Sequence, residues 1–463
     1  MSSSQKNPLL EFFASVQLAL FLLFLLAGTS IIGTIIPQNA QPGLYLEKYG
    51  PVAARFFELL DIGDMYNSWW FLSLLALFTT NLIVCSLERI PRVIRLLKRD
   101  NLAATPEQLG RFGLKRSLDS SLPATELAAL TRGFFKEQGW KSQARAAGGE
   151  GNRDSSTLLF AEKTPWSRFG VYVVHASILV ILAGAVLGSP SFARKVLRQD
   201  NFAYKGFVML PEQASTDHIR TNRGNMPVNL GFTLRCDHFH IDFYDNGMPK
   251  TYRSLVTILE DGKEVLQREI VVNKPLKYKG VTFYQSSYQP YPDYTLQLSK
   301  KPENITLNTT IAPGREMRWD EGGLTYGIIN WERQGEVTRR LKLWLYDGEG
   351  EASQLWVDMN RETVIERPSG QYVLTIKQVY ATGLQAAKDP GVWLVYLGCA
   401  LMLVGLYIAF FLSHRKLFAY VEENGAGSRL LLAGTANKNK VHFDSLFNRM
   451  ADKLAQRASS PQP

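Results

Sequence analysis

The sequence has few cysteines and contains none of the common short catalytic motifs. Its three cysteines, Cys85, Cys236 and Cys399, form no CxxC pair and do not have the spacing of metal ligands. The GxGxxG, Walker A, HExxH and GxSxG patterns are also absent. The chain is therefore neither a thiol–disulfide exchanger nor a zinc protein by these criteria, and its cysteines are interpreted as small packing residues.

The sequence also lacks a continuous basic stripe, although its formal net charge is +10 over 463 residues. Many of the lysines and arginines flank long apolar runs, where they fix the orientation of a membrane protein. We therefore do not expect nucleic acid to be a partner. The mean hydropathy of −0.10 is ordinary for a soluble protein, so it must average over apolar runs and polar domains.

Charge is absent from one particular stretch, between Arg168 and Ser189. About 20 apolar residues are enough for a helix that crosses a bilayer. The stretch contains one ionisable side chain, that of His175, roughly 10 Å from the end marked by Arg168. A titratable group at this depth is expected to face protein, a cavity or a ligand rather than lipid.

Four such runs predict four transmembrane helices, at residues 16–36, 69–87, 169–188 and 392–412. The first could be a signal peptide, but it is too long for a typical hydrophobic region of one and no A-x-A site follows, so a retained helix is favoured. Between the first two runs lies a short acidic loop, residues 37–68. Within it, Val52, Phe56, Phe57 and Leu60 have the spacing of an amphipathic helix at the membrane interface.

Two basic clusters predict the orientation of these helices. One follows the second run, at Arg89–Arg99, and the other follows the fourth, at His414–Lys416. By the positive-inside rule, both lie in the cytoplasm. We therefore expect the N-terminus (1–15) and the tail (413–463) to be cytoplasmic, the latter partly helical at 442–457. The acidic loop is expected on the outside of a bacterial cytoplasmic membrane.

The remaining segments predict two soluble domains. Residues 88–168 combine strand-like segments with a helical pattern near 123–138 and a Gly-rich turn, which indicates a small cytoplasmic α+β domain. Residues 189–391 contain alternating segments and hairpin signals at Asp261-Gly262 and Gly348–Gly350. This pattern predicts a large extracytoplasmic all-β domain, built as a sandwich or a barrel.

Several of these stretches resemble the ResB (CcsB) family of system II cytochrome c biogenesis proteins. The resemblance is carried by NLIVCSLERIPR, FGVYVVHASILVILAGAVLG and VNKPLKYKGVTFYQSSY, and by the segment from Gly383 to Lys416. It extends over nearly the whole chain in the same order. It therefore implies four membrane helices and one large outer domain.

The resemblance also implies a function. Members of this family act with a haem-handling membrane partner of the CcsA (ResC) type, and together they move haem outward and attach its vinyl groups to CxxCH thiols of apocytochrome c. A thiol-reducing thioredoxin-like protein is a further candidate partner. The tryptophan-rich WGxxWxWD-like segment of the partner is absent here, since Trp69-Trp70-Phe71 does not match it. The chain is therefore expected to be one subunit of a haem lyase complex and not catalytic alone.

His175 is the candidate cofactor-binding residue, as an axial ligand of haem b. A neutral imidazole is a good ligand for haem iron, and a low-dielectric environment keeps it neutral. The alternative is a histidine that hydrogen-bonds across a helix interface, which the sequence alone favours and the resemblance disfavours. His218, His238, His240 and His414 are interpreted as surface, strand-face or anchoring residues.

A second function remains open, that of a scaffold that binds no haem and presents apocytochrome c to the partner. No other metal site is expected.

Overall fold

The fold was analysed in a computed structural model. It describes residues 8–38, 40, 42–146, 156–222, 225–243, 249–334, 337–425 and 427–459. The Gly-rich turn predicted after residue 146 lies outside these ranges. The chain forms two compact units, of which the first comprises residues 1–184 and 393–463 and the second residues 185–392.

The helices within the described ranges include four that are long and apolar enough to cross a membrane, as the sequence predicts. In chain order, the helices are α1 (Pro8–Phe13), α2 (Val16–Ile35), α3 (Pro42–Leu59), α4 (Trp69–Leu97), α5 (Pro106–Gly110), α6 (Ala124–Glu137), α7 (Gly170–Leu187), the short α8 (Pro190–Phe192), α9 (Val392–Phe411) and α10 (Lys440–Ser459). The four candidate spans are α2, α4, α7, which a 3₁₀ turn at Pro165–Phe169 precedes, and α9.

Helix α4 extends beyond the predicted end of its apolar run at residue 87. It continues as a helix to Leu97 and includes Pro91. The basic segment is therefore a helical extension rather than a loop. Extending the helix keeps its basic side chains on defined faces, which matters for the site described below.

The linker between α2 and α4 is folded against the ends of both helices. Tyr45 donates a hydrogen bond to the carbonyl of Pro37 at 2.6 Å, and the indole of Trp70 donates to the carbonyl of Leu60 at 2.8 Å. Helix α3 is interrupted at Gly50, where φ is +79° and only glycine is unstrained. Of the predicted apolar face, Phe57 and Leu60 pack inward. Val52 and Phe56 are exposed together with Leu59.

The strands within the described ranges belong to three sheets. In chain order they are β1 (Leu114–Ser120), β2 (Lys141–Ala146), β3 (Thr157–Lys163), β4 (Tyr204–Pro211), β5 (Ser215–Thr221), β6 (Pro227–Phe243), β7 (Pro249–Glu260), β8 (Lys263–Val271), β9 (Leu276–Tyr278), β10 (Val281–Lys301), β11 (Ile305–Ile311), β12 (Glu316–Trp319), β13 (Leu324–Gln334), β14 (Val337–Tyr346), β15 (Ser353–Asp358), β16 (Glu362–Arg367), β17 (Gly370–Lys388), β18 (Arg415–Asn424) and β19 (Gly427–Ala436).

The five-stranded sheet of the first unit has the order β1-β19-β18-β3-β2 and is antiparallel. Helices α6 and α10 cover one face through a core that includes Phe134, Phe135, Phe443 and Phe447. The other face is covered by residues around Leu109. The result is a small α+β domain assembled from two segments that are far apart in the sequence.

This arrangement differs from the predicted organisation, in which residues 413–463 form a partly helical tail. The helix is present as α10, but the same segment also supplies β18 and β19. Strand β18 lies between β3 and β19, so it is internal to the sheet. Internal strands with two covered faces lack the alternating pattern that identifies a half-exposed strand, which explains why the sequence did not reveal them.

The second unit is β-rich, as predicted. Its ten-stranded sheet has the order β11-β10-β17-β4-β5-β6-β7-β8, with β16 added on β17 and β9 on β10. Its four-stranded sheet has the order β12-β13-β14-β15. Strands β10 and β17 are long enough to take part in two cores, one around Phe283 and Leu384 and one around Leu296 and Leu374. Both predicted hairpins are present, as β7–β8 and β14–β15.

Candidate functional site

His175 contacts a second membrane helix through its side chain. Its Nδ1 atom lies 3.0 Å from the hydroxyl oxygen of Ser86 on α4. The ring of Tyr172, one turn earlier on α7, packs edge-on against the imidazole with centroids 6.2 Å apart. The imidazole is half-buried in this environment. We call His175, Ser86, Tyr172 and Arg89 the His175 site.

The hydrogen bonds of Ser86 determine the tautomer of His175. The Ser86 hydroxyl donates its single proton to the carbonyl oxygen of Leu82 at 2.7 Å. It therefore has no proton left for the imidazole, and His175 must donate from Nδ1 to the Ser86 oxygen. The proton of the neutral ring then lies on Nδ1, and no group among the described residues hydrogen-bonds to the Nε2 lone pair. This is the arrangement that a histidine has when it ligates a metal through Nε2 and is held by a hydrogen bond on its other nitrogen.

Arg89 provides a positive charge on the helix that contacts this imidazole. It lies three residues after Ser86 on α4, so the two side chains share a face of the helix about one turn apart. Within the described residues, neither Arg89 nor Tyr172 has a hydrogen-bond or ion-pair partner.

Glycines pack α7 closely against α9. A Cβ atom added at Gly170 on α7 would lie 2.7 Å from the backbone nitrogen of Ala409 on α9. A Cβ atom added at Gly405 on α9 would lie 2.8 Å from the backbone nitrogen of Val174 on α7. The buried small residues repeat every seven positions, at Gly170, Ser177 and Gly184 on α7 and at Gly398 and Gly405 on α9. Ser177 and Gly184 are therefore in a buried face of α7, whereas Ala176 on the same helix is exposed.

His414 lies in a different polar cluster, at the ends of α7 and α9 in the first unit. Its Nδ1 accepts a hydrogen bond from Nε of Arg168 at 2.9 Å, and its Nε2 donates to Glu162 at 3.0 Å. The side chain is fully buried. Burial lowers the pKa of His414, the charges of Lys416 and Arg168 lower it further, and Glu162 opposes them. Both ring nitrogens are occupied, so this histidine has no lone pair available for a metal.

The histidines of the β-rich unit are not gathered into a site. His238 and His240 are exposed on the same face of β6, and His240 bonds Asp242 at 2.8 Å. His218 contacts Asp217 and Asn229. Within the described ranges, no group of three or more His, Cys, Asp or Glu side chains could hold a metal ion. Burial, with the charges of Glu212 and Asp237, raises the pKa of the Cys236 thiol to about 12.

The comparison with family models shows to which protein family the chain belongs. The model of the ResB-like family matches residues 16–323 and 338–448. The chain belongs to the ResB-like family. The resemblance seen in the sequence motifs is therefore confirmed.

Several curated relatives of this ResB-like chain are named cytochrome c biogenesis protein CcsB. The relative from Gloeobacter violaceus is 27% identical, and the match covers 96% of this chain and 90% of the relative. The relative from Microcystis aeruginosa is 28% identical over 93% of this chain and 92% of its own length. The relative from Thermosynechococcus vestitus is 28% identical over 96% of each chain.

The sequence identified His175 in this ResB-like chain but not the residues that hold it. Ser86 is one of several hydroxyl residues in the second apolar run, and nothing in the sequence distinguishes it from Thr79 or Thr80. The sequence likewise does not distinguish Arg168 and Glu162 from other charged residues. They become partners of His414 because β18 pairs with β3 and positions His414 between them.

Proposed function

We propose that this chain is a membrane subunit of the system II cytochrome c maturation complex, in which His175 is an axial ligand to haem. The family match and the names of the curated relatives support the role in cytochrome c biogenesis. The single observation that supports the haem site is the Nε2 lone pair of His175, which no described residue hydrogen-bonds and which lies on a helix with the length and composition of a membrane span.

The environment of His175 suits a neutral ligand. Iron is bound by the lone pair of a neutral imidazole, and an apolar span disfavours the protonated ring. The bond from Nδ1 to Ser86 fixes the ring orientation and increases the basicity of Nε2. Val171, Ile178, Leu179 and Leu182 on α7 are partly or fully exposed apolar residues, and they provide a surface for a porphyrin face.

Haem is the transported substrate of this site. One histidine supplies one axial ligand, and a CcsA/ResC-type partner supplies the opposite one. The complex joins haem to apocytochrome c, and the thioredoxin-like reductant keeps the acceptor thiols reduced. This subunit alone does not complete the ligation.

The proposed location is the bacterial cytoplasmic membrane. The basic extension of α4 and the Arg415-Lys416 pair after α9 support a cytoplasmic position for both termini and the five-stranded sheet. The β-rich unit is then extracytoplasmic. His175 lies in the cytoplasmic half of the membrane, where haem made inside the cell first reaches the transfer route.

The test is an absorption spectrum of the full chain, purified from membranes with and without its partner. The wild type is expected to show a haem Soret band, and His175→Ala is expected to lose most of it while protein level and insertion stay normal. Added imidazole is expected to restore part of both the haem content and cytochrome c maturation. The matched control is His442→Ala, an exposed histidine on α10.

Ser86→Ala provides an intermediate case. It keeps the ligand and removes the hydrogen bond that orients it, so haem affinity is expected to fall about 10- to 100-fold. If His175→Ala retains full haem occupancy with an unchanged Soret maximum, the ligand lies elsewhere. A functional complex without haem on this chain would favour the scaffold function.

A further inference from the structure

We propose that Arg89 and Tyr172 form the carboxylate-binding end of the His175 site and hold a propionate group of haem. This inference rests on the proposed function of His175. It adds a second binding group and, through it, the orientation of the substrate in the membrane.

The geometry places these groups in successive levels along two helices. Ser86 and His175 form one level, with 3.0 Å between the hydroxyl and the imidazole. One turn toward the basic end of both helices lie Arg89 on α4 and Tyr172 on α7, roughly 4.5 Å further along the axes. A ligand bound to Nε2 of His175 therefore has a guanidinium and a phenol on the side that leads to the membrane surface.

Arg92 on α4 and Arg168 in the turn before α7 are each held by another side chain. Arg92 pairs with Glu88 at 2.7 Å, and Arg168 donates to His414 at 2.9 Å. Within the described residues, Arg89 has no such partner. It also shares a helix face with Ser86, whereas residues six or more positions after Ser86 are two turns away.

The chemistry of haem matches this arrangement. Its ring is apolar and fits a membrane span, but its two propionates are carboxylates, and burying an unpaired carboxylate is costly. A guanidinium binds a carboxylate through two parallel hydrogen bonds, and a tyrosine hydroxyl can donate another. The imidazole, the hydroxyl and the guanidinium together suit a metalloporphyrin that carries carboxylates.

This assignment fixes the direction of the haem. The vinyl groups of haem b lie on the edges of the ring away from the propionates. With a propionate held by Arg89 at the basic end of α4, the vinyl groups point toward the opposite end of α7. In the proposed topology that end is extracytoplasmic, where the thiols that react with the vinyl groups are found. The site therefore selects the productive orientation of the substrate.

The test compares haem b with haem b dimethyl ester, which lacks the charged propionates. Full-length protein in lipid nanodiscs is titrated with each ligand, and binding is followed by the Soret band. The wild type is expected to bind the ester about 10- to 100-fold more weakly than haem, the loss expected for one charge-assisted hydrogen-bond pair. In Arg89→Gln most of this preference is expected to disappear, and in Arg89→Lys and Tyr172→Phe the preference is expected to be intermediate.

The control is Arg95→Gln, which removes one exposed charge from the same basic extension and is expected to keep the wild-type preference. The Soret maximum of Arg89→Gln is expected to equal that of the wild type, because the iron ligand is unchanged. An unchanged preference for haem over the ester in Arg89→Gln would overturn this proposal, and would mean that Arg89 serves lipid phosphates or orientation only. Failure of the proposed function would appear differently, as a His175→Ala variant whose haem content and Soret maximum equal those of the wild type.

Discussion

Arg168 and His414 are 246 positions apart in the sequence, and Nε of Arg168 donates a hydrogen bond to Nδ1 of His414 at 2.9 Å. On the other side of the ring, Nε2 donates to Glu162 on β3. One buried imidazole thus joins the turn that precedes α7, the strand before it and the segment that follows α9. Because Nδ1 accepts and Nε2 donates, the ring is neutral in the folded protein.

The first prediction concerns the pH dependence of stability. The pKa of His414 is lowered in the folded state, so the unfolded chain binds more protons as the pH falls below about 6.5. This contribution to stability is fully present above about pH 6.5 and is lost as the pH falls through the folded-state pKa. His414→Leu is expected to reduce this dependence and to cost about 1–3 kcal/mol at neutral pH, because Arg168 and Glu162 lose their shared partner.

The measurement is chemical denaturation of the full chain in detergent at pH 7.5 and pH 5.5. His442→Leu, on the exposed face of α10, serves as the control and is expected to stay within about 0.5 kcal/mol of the wild type. A variant without His414 that keeps the full acid sensitivity would show that other groups cause it.

The second prediction concerns the contact between α7 and α9. Gly405→Leu is expected to separate these helices, because a Cβ at this position would lie 2.8 Å from the backbone nitrogen of Val174. We expect a destabilisation of about 1–3 kcal/mol, seen as faster proteolysis and lower protein level. Gly28→Leu is the matched control on α2, since a Cβ at Gly28 meets nothing within 4 Å. Equal protease resistance of both variants would contradict this packing.

The third prediction concerns the cysteines. Replacement of Cys85, Cys236 and Cys399 together with Ala or Ser is expected to leave cytochrome c maturation largely intact. With a pKa raised to about 12, the Cys236 thiol is expected to resist a maleimide at pH 8 until the protein is unfolded. Loss of maturation at normal protein level would reveal a thiol function that the spacing does not predict.

The fourth prediction concerns topology. Reporter fusions near Lys141 and at the C-terminus are expected to be active as cytoplasmic reporters, and fusions within the β-rich unit as extracytoplasmic ones. The basis is the basic extension of α4 and the basic pair after α9. An active extracytoplasmic reporter near Lys141 would reverse the proposed orientation and the direction of haem transfer.

The sequence predicted the elements whose signal is local. Apolar runs predicted α2, α4, α7 and α9, and the turn residues at Asp261-Gly262 predicted the hairpin β7–β8, where both residues have positive φ. The pattern failed for β18 and β19, because both faces of these strands are covered and their apolar residues do not alternate.

The candidate site was predictable in part for the same reason. His175 is visible because it is an ionisable residue in a span without charge. The tautomer of His175 could not be predicted from the sequence. It depends on the hydrogen bond between Ser86 and the carbonyl of Leu82, and both of these residues are on α4 rather than on the helix of His175. The partners of His414 are even more distant, because they come together only when strands from both ends of the first unit pair.

The split origin of the five-stranded sheet has a consequence for biosynthesis. Strand β1 pairs only with β19 in the sheet order, and the β2–β3 pair joins the sheet only through β18, so these strands leave the ribosome long before β18 and β19 are made. Membrane insertion of α7 and α9 and translation of the whole β-rich unit come first. The small α+β domain can therefore be completed only after the whole β-rich unit and α9 have been synthesised.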